Sequence, residues 1–362
     1  MKTLWIWLAL VVIGIGAALF FGRSRVETGT AVRAWPMGLG VVADAPKHFP
    51  PTKETAAATK LVTLAKNAGV DLRAERDQYN EVIDRDVREA FADYLQKQLE
   101  RGSDAIDAPP SDVTRWLSDK AASLDEIKEL VTSGEEIAFA TDINKRGPEA
   151  GPNLLGLQHL HRTFVVRALI ATREKSPEAW DELAVAWGLT EPLWRLPDGL
   201  SAMTASTGSR FVNSAAGKLP MPPAPWFREV HAFHYERAFA AAQQAEAWRA
   251  KTPAFNVRVL GMTEEVLRAR ACDSSSPQFD AVRAKLGARA TPSLISSWER
   301  LMRFRAEREA TARVMLMRQG QPVPRESQCS DGSWEVTAKS FKFTRDIPVD
   351  RPQMKYALEY SR

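Results

Sequence analysis

NLLGLQHLHRTFVVRALIATREKSPEAWDELAVAWG, residues Asn153–Gly188, is the stretch whose reading decides the fold. From Leu154 to about Glu174 it carries Leu154, Leu155, Leu157, Leu160, Phe164, Val165, Val166, Leu169 and Ile170. At helical spacing these fall on nearly every side, and a helix that is apolar all round belongs at the centre of a helical body. Asn153 can cap it by accepting a free N–H of the first turn. Ser176-Pro177-Glu178 then signals a second start, with Ser as N-cap and Pro at the first helical position, where no N–H is needed. That helix carries Trp180, Leu183, Val185 and Trp187 and is expected to stop at Gly188. The pair is expected to form the core of the soluble part.

Outward toward the C-terminus, Pro197-Asp198-Gly199 is a turn and LPMPPAP (219–225) an extended connection. One helix is expected next, with Phe227, Val230, His234, Ala238, Ala241, Ala245 and Trp248 on a single stripe. Short helices are expected near Glu264–Ala271 and Gln278–Leu286. A long one opens at Thr291-Pro292 and ends at Gly320. Around Trp334–Thr337, Phe341–Thr344 and Tyr356–Tyr360 the period changes to two, which predicts a small antiparallel meander.

Toward the N-terminus, Lys145–Pro152 breaks the pattern. Short helices capped by Ser111 and Ser123 precede it. Before them, Tyr79, Val82, Ile83, Val87, Ala90, Phe91, Tyr94, Leu95 and Leu99 recur at spacings of three and four, the cleanest amphipathic stripe in the chain. Another helix spans Leu61–Ala65 and ends near Gly69. Residues 22–51, with Gly29, Pro36, Gly38, Gly40, Pro46 and Pro50-Pro51, have no helical period and read as a linker, within which Met37–Val42 is a short strand or a packed extended segment.

Leu4–Phe21, LWIWLALVVIGIGAALFF, is eighteen residues without a charge. As a helix it would span about 27 Å, close to the hydrocarbon thickness of a bilayer. Leu19-Phe20-Phe21 continue the apolar run past Gly16-Ala17-Ala18, so a retained single-pass signal anchor is expected in preference to a cleaved signal. The expected class is mainly α: a transmembrane helix, an irregular multi-helix bundle with α-hairpin or solenoid-like stacking as its variant, and a C-terminal β meander. The expected division is 1–21 anchor, 22–51 juxtamembrane linker, 52–320 helical body and 321–362 β-rich extension.

Cys272 and Cys329 both lie in polar loop sequence behind a membrane signal, so a disulfide is expected, with the body outside the cytoplasm. Net charge is +4, but residues 251–362 hold 20 Lys+Arg against 13 Asp+Glu, leaving the remainder at −3. Arg300, Arg303, Arg308 and Arg313 lie off the Leu294/Trp298/Leu301 stripe, or at its edge, and are expected to offer a basic face to a protein partner or anionic lipid. Reversing their charge is expected to leave the fold intact. Nucleic acid is disfavoured, because Glu299, Glu307 and Glu309 interrupt the basic run.

Signatures of chemistry are sparse. His231 and His234 are three apart, but neither stands in an H-E-x-x-H pattern, so no metal is expected. The hydroxyls of Ser201, Thr204, Ser206, Thr207, Ser209 and Ser214 lack G-x-S-x-G, S-x-x-K and any placed base, so close helix packing is the expected use. No catalytic residue and no cofactor is expected. The expected function is that of a membrane-tethered envelope protein acting through protein–protein contacts. One alternative is a helical module binding a small amphiphilic or peptide ligand in a Trp-lined groove. Another is a hydrolase in which His159, His231 or His234 meets a carboxylate or hydroxyl in a cleft.

Overall fold

A computed structural model describes residues 33–73, 85–145, 151–251, 253–277, 280, 292–347 and 356–362. Among these the chain is mainly helical, with twelve α-helices and a three-stranded antiparallel sheet at the C-terminus. No helix among the described residues is long and apolar enough to cross a membrane. The Leu4–Phe21 anchor, the Gln278–Leu286 helix and the Tyr79–Ile83 start of the amphipathic stripe lie outside the described residues.

The helices are α1 (Ala45–His48), α2 (Ala56–Asn67), α3 (Arg85–Leu99), α4 (Ser111–Asp119), α5 (Ala121–Thr132), α6 (Leu154–Arg173), α7 (Ala179–Thr190), α8 (Gly199–Ala216), α9 (Phe227–Ala232), α10 (Tyr235–Ala250), α11 (Pro253–Ala269) and α12 (Pro292–Arg318). Helix α6 is central, as its all-round apolarity requires, and packs along α7, α8 and α3. Asn153 caps it by accepting from the N–H groups of Leu155 and Gly156. Helix α8 touches α6, α7, α10 and α12, so small residues suit it. A Cβ on Gly208 would overlap the Thr190 hydroxyl.

Helix α7 does not stop at Gly188; it runs to Thr190 and tightens into a 3₁₀ turn, Glu191–Arg195. The glycine serves packing rather than termination, since a Cβ there would collide with the Val131 side chain of α5. Its start also differs: the Ser176 hydroxyl accepts from the Glu178 N–H, and the first helical residue is Ala179. Helix α4 begins at Ser111 itself, and α5 begins at Ala121 rather than after a Ser123 cap. The helix expected across 227–248 is two, broken at Phe233-His234; Phe227, Val230, Ala241 and Ala245 of its stripe are buried, joined by Tyr235, Phe239 and Ala242, while His234 is exposed. The helix near Glu264–Ala271 is longer, the whole of α11.

Residues 33–51 do not behave as a free linker. Trp35, Leu39, Val42 and Phe49 are buried in the main core, and the segment hooks back through a Trp35–Gly40 bridge and α1. Burial of these side chains, with the hydrogen bonds that Gln244 donates to the Leu39 and Val41 carbonyls, offsets part of the entropy lost in ordering the segment.

The strands are β1 (Trp334–Val336), β2 (Ser340–Phe343) and β3 (Glu359–Ser361), paired in the order β1-β2-β3. Trp334 faces Phe343 and Phe341 faces Tyr360 in register, so one face of the sheet is aromatic. That face forms a second core with Ala306, Ala310, Val314 and Met317 of α12. Cys272 and Cys329 are joined there, with Cα atoms 5.3 Å apart, tying the end of α11 to the segment before β1. The Asp331 carboxylate accepts from the N–H groups of Cys272 (3.0 Å) and Asp273 (2.9 Å), which braces the bridge.

Candidate ligand cleft

The N-terminal hook lies along α10 because the Gln244 side chain donates to the carbonyls of Leu39 (3.0 Å) and Val41 (2.7 Å). Its far end is held by an isolated bridge between Thr52 and Thr141. Hook, 3₁₀ turn and α10 do not close on one another. They leave a cleft of about 560 Å³ lined by Leu39, His48, Phe49, Trp194, Phe233 and Ala238, with Arg195, Arg237, Glu136 and His234 also on its walls. The volume lies in the range of small-molecule sites.

Local structure explains each wall. Trp194 Nε1 donates to the Ser209 hydroxyl of α8 at 3.2 Å, which orients the indole. Phe233 stands in the break between α9 and α10. Its ring lies 5.7 Å from Trp194, 5.8 Å from Trp187 and 4.8 Å from Tyr235. Ala238 and Ala241, one turn apart on α10, keep the opposite side shallow. His48 Nε2 donates to the Leu39 carbonyl at 2.9 Å.

The two cations differ. Arg195 is paired with Glu136 (2.6 Å) and Glu191 (2.7 Å), so its charge is already answered. Arg237 has only its Nε engaged, donating to the Met37 carbonyl at 3.2 Å. Among the described residues its two terminal nitrogens have no partner. The arrangement offers a hydrophobic, aromatic surface beside one unanswered guanidinium.

The remaining histidines are elsewhere. His159 is buried in α6 between Phe91 and Trp116, with ring centroids 5.2 and 5.3 Å away. His161 is buried against Gly208 and Phe211. Burial, and secondarily the Arg162 charge, pushes both imidazoles down to about 3, so both are neutral at physiological pH. Burial and then Arg308 also push His231 down. Neither His231 nor His234 is hydrogen-bonded to a carboxylate or hydroxyl among the described residues, and only His234 reaches the cleft. The hydroxyls of Thr204, Thr207 and Ser209 donate to carbonyls one turn back in α8, the packing role expected of them.

The basic face on α12 does not form. Arg303 is 2% exposed and Arg313 4%, and Arg300 and Arg308 are half-buried. Arg303 and Arg210 both pair with the buried Glu307, Arg210 through two bonds of 2.7 Å. Arg303 also donates to the carbonyls of Ile347 and Tyr356. Arg313 lies over the Trp334 ring, and Arg308 over Tyr235 while donating to the His231 carbonyl. Arg210, Arg303 and Arg313 hold α8, the C-terminal segment and the sheet to α12 and do not face solvent. A second cavity, of about 40 Å³, adjoins this network. On its wall, burial lowers Lys218 to about 8 while Nζ donates to the carbonyls of Arg101 (3.2 Å) and Ser103 (2.6 Å). Cys272, Cys329 and Asp331 lie close together, but the sulfurs are joined as a disulfide and the carboxylate is occupied by two N–H groups.

Sequence reading missed His48, Phe49, Arg195, Phe233 and Arg237. The local signals were the dipeptide Trp194-Arg195 before a turn and the run Phe233-His234-Tyr235-Glu236-Arg237, but nothing local says that they converge. No protein-family model, no curated protein and no solved structure matches the chain.

Proposed function

We propose that this chain is a membrane-tethered envelope protein whose helical body binds a small amphiphilic ligand in the cleft between the N-terminal hook, the 3₁₀ turn and α10. The observation that carries this reading is the cleft itself: about 560 Å³, floored by Trp194 and Phe233 and edged by Arg237. Small-molecule sites join apolar and aromatic surface to polar groups that fix orientation; here Trp194, Phe233 and Phe49 give the first, and Glu136, Arg195, His234 and Arg237 the second. The protein–protein alternative has less behind it. Among the described residues the exposed large hydrophobics, Met37, Leu155, Leu200 and Val257, are scattered over four segments, and the basic face is internal.

Tethering rests on the length of Leu4–Phe21, and an extracytoplasmic body on the Cys272–Cys329 bridge. Thirteen residues separate Phe21 from the buried Trp35. They reach at most about 45 Å, so the hook and the cleft it walls would stay near the bilayer surface.

The test is calorimetric titration of the full-length protein in lipid nanodiscs with eight-carbon amphiphiles bearing carboxylate, hydroxyl or trimethylammonium heads, against empty nanodiscs. Saturable binding of at least one, abolished by the cleft-filling substitution Ala238→Trp, is the expected result. No saturable binding of any head group would overturn the reading.

A further inference from the structure

We infer that the ligand carries a carboxylate and that Arg237 is the group that receives it; this rests on the cleft being a ligand site. The cleft contains two guanidiniums, and only one is available. Arg195 is held between Glu136 and Glu191, whose two carboxylates already answer its charge. Arg237 has no carboxylate partner among the described residues, although acidic groups are near: the preceding Glu236 pairs with Arg305 instead. Its Nε is fixed on the Met37 carbonyl. That bond orients the planar guanidinium and leaves Nη1 and Nη2 as a parallel pair of donors. Two parallel N–H donors match the two oxygens of a carboxylate, a fit that lysine, hydroxyl or amide groups do not offer.

The apolar part of such a ligand has its place in the same cleft. Trp194, Phe233 and Phe49 give it aromatic surface, and Ala238 and Ala241 leave room beside α10. Arg237 is exposed at the cleft edge, and a cationic or neutral head group beside it would leave its two terminal nitrogens to water. The free donor pair of Arg237, rather than the net charge of the cleft, points to an anionic end with an aliphatic or aromatic body, whether supplied by a fatty acid or by the C-terminus of a short hydrophobic peptide.

The experiment compares head groups and sources on the full-length protein in nanodiscs of zwitterionic lipid. Octanoate is titrated against octanol and octyltrimethylammonium, and the tripeptide Ala-Ala-Phe as free acid against its amide. The expected result is a preference of about tenfold or more for an acid over its neutral counterpart. Arg237→Gln should remove that preference while octanol still binds saturably, and Arg237→Lys should restore only part of the preference. Octanoate preferred over the free tripeptide assigns a lipidic carboxylate; the reverse assigns a peptide terminus. Equal binding of acid and neutral forms, or an acid preference that survives Arg237→Gln, overturns the carboxylate assignment while leaving the cleft as a ligand site. Loss of all binding, octanol included, would instead remove the site itself.

Discussion

At the scale of single residues, burial decides protonation. His159 and His161 are neutral in the folded chain because water is excluded from both rings, whose folded values of about 3 lie well below the ordinary 6.5. Below pH 6.5 the unfolded chain takes up protons that these folded histidines do not. Stability attributable to them is therefore full above that pH and falls as pH drops toward 3. Each should lose about 2 kcal/mol between pH 7 and pH 5. Denaturant unfolding followed by tryptophan fluorescence should show this decline. His159→Phe, which keeps a ring between Phe91 and Trp116, should remove about half of it. A stability unchanged between pH 7 and 5 would mean that the histidines are not buried as described.

Among elements, the decisive contact is the charged cluster between α8 and α12. Glu307 lies between Arg210 and Arg303, all three buried, and Arg303 carries the bond on to the carbonyls before and after residues 348–355. Removing one member leaves charge buried without a counter-charge, which is the costly case for an interior ion pair. Glu307→Gln should therefore destabilise the body by about 3–5 kcal/mol. Charge reversal at Arg303 should prevent folding, the opposite of what a surface face would show. A loss below about 1 kcal/mol for Glu307→Gln in thermal or urea unfolding would be the behaviour of an exposed pair and would refute the internal assignment. The disulfide acts on the same side of the molecule, closing a separation of 57 residues between α11 and the sheet.

At the scale of the whole molecule, the proposed tether would hold the cleft, walled by Leu39, His48 and Phe49, near the membrane surface. If Leu4–Phe21 is a retained anchor, the full-length protein should stay in the membrane fraction through carbonate and high-salt washing, and its mature N-terminus should precede residue 4. A washed-off product beginning near residue 18 would show a cleaved signal and a secreted binding protein. The cleft reading would survive that result, because none of its walls comes from before Leu39.

The sequence by itself determined what depends on near neighbours. Side chains at three- and four-residue spacing marked α6 as central, Asn153 as its cap, and the last forty residues as strand-bearing. The only two cysteines could pair only with each other inside the chain. Tertiary structure alone decided which polar groups are covered. Arg300 and Arg303 look alike in the sequence, yet residues about forty-four and fifty-three positions further on accept from Arg303 and enclose it. The hook looked like a linker because Pro and Gly break periodicity, and its burial follows from Trp35, Leu39 and Phe49 finding a surface that α10 completes. The cleft exists for the same reason: its walls come from segments up to two hundred residues apart, brought together by long-range packing that local periodicity does not encode.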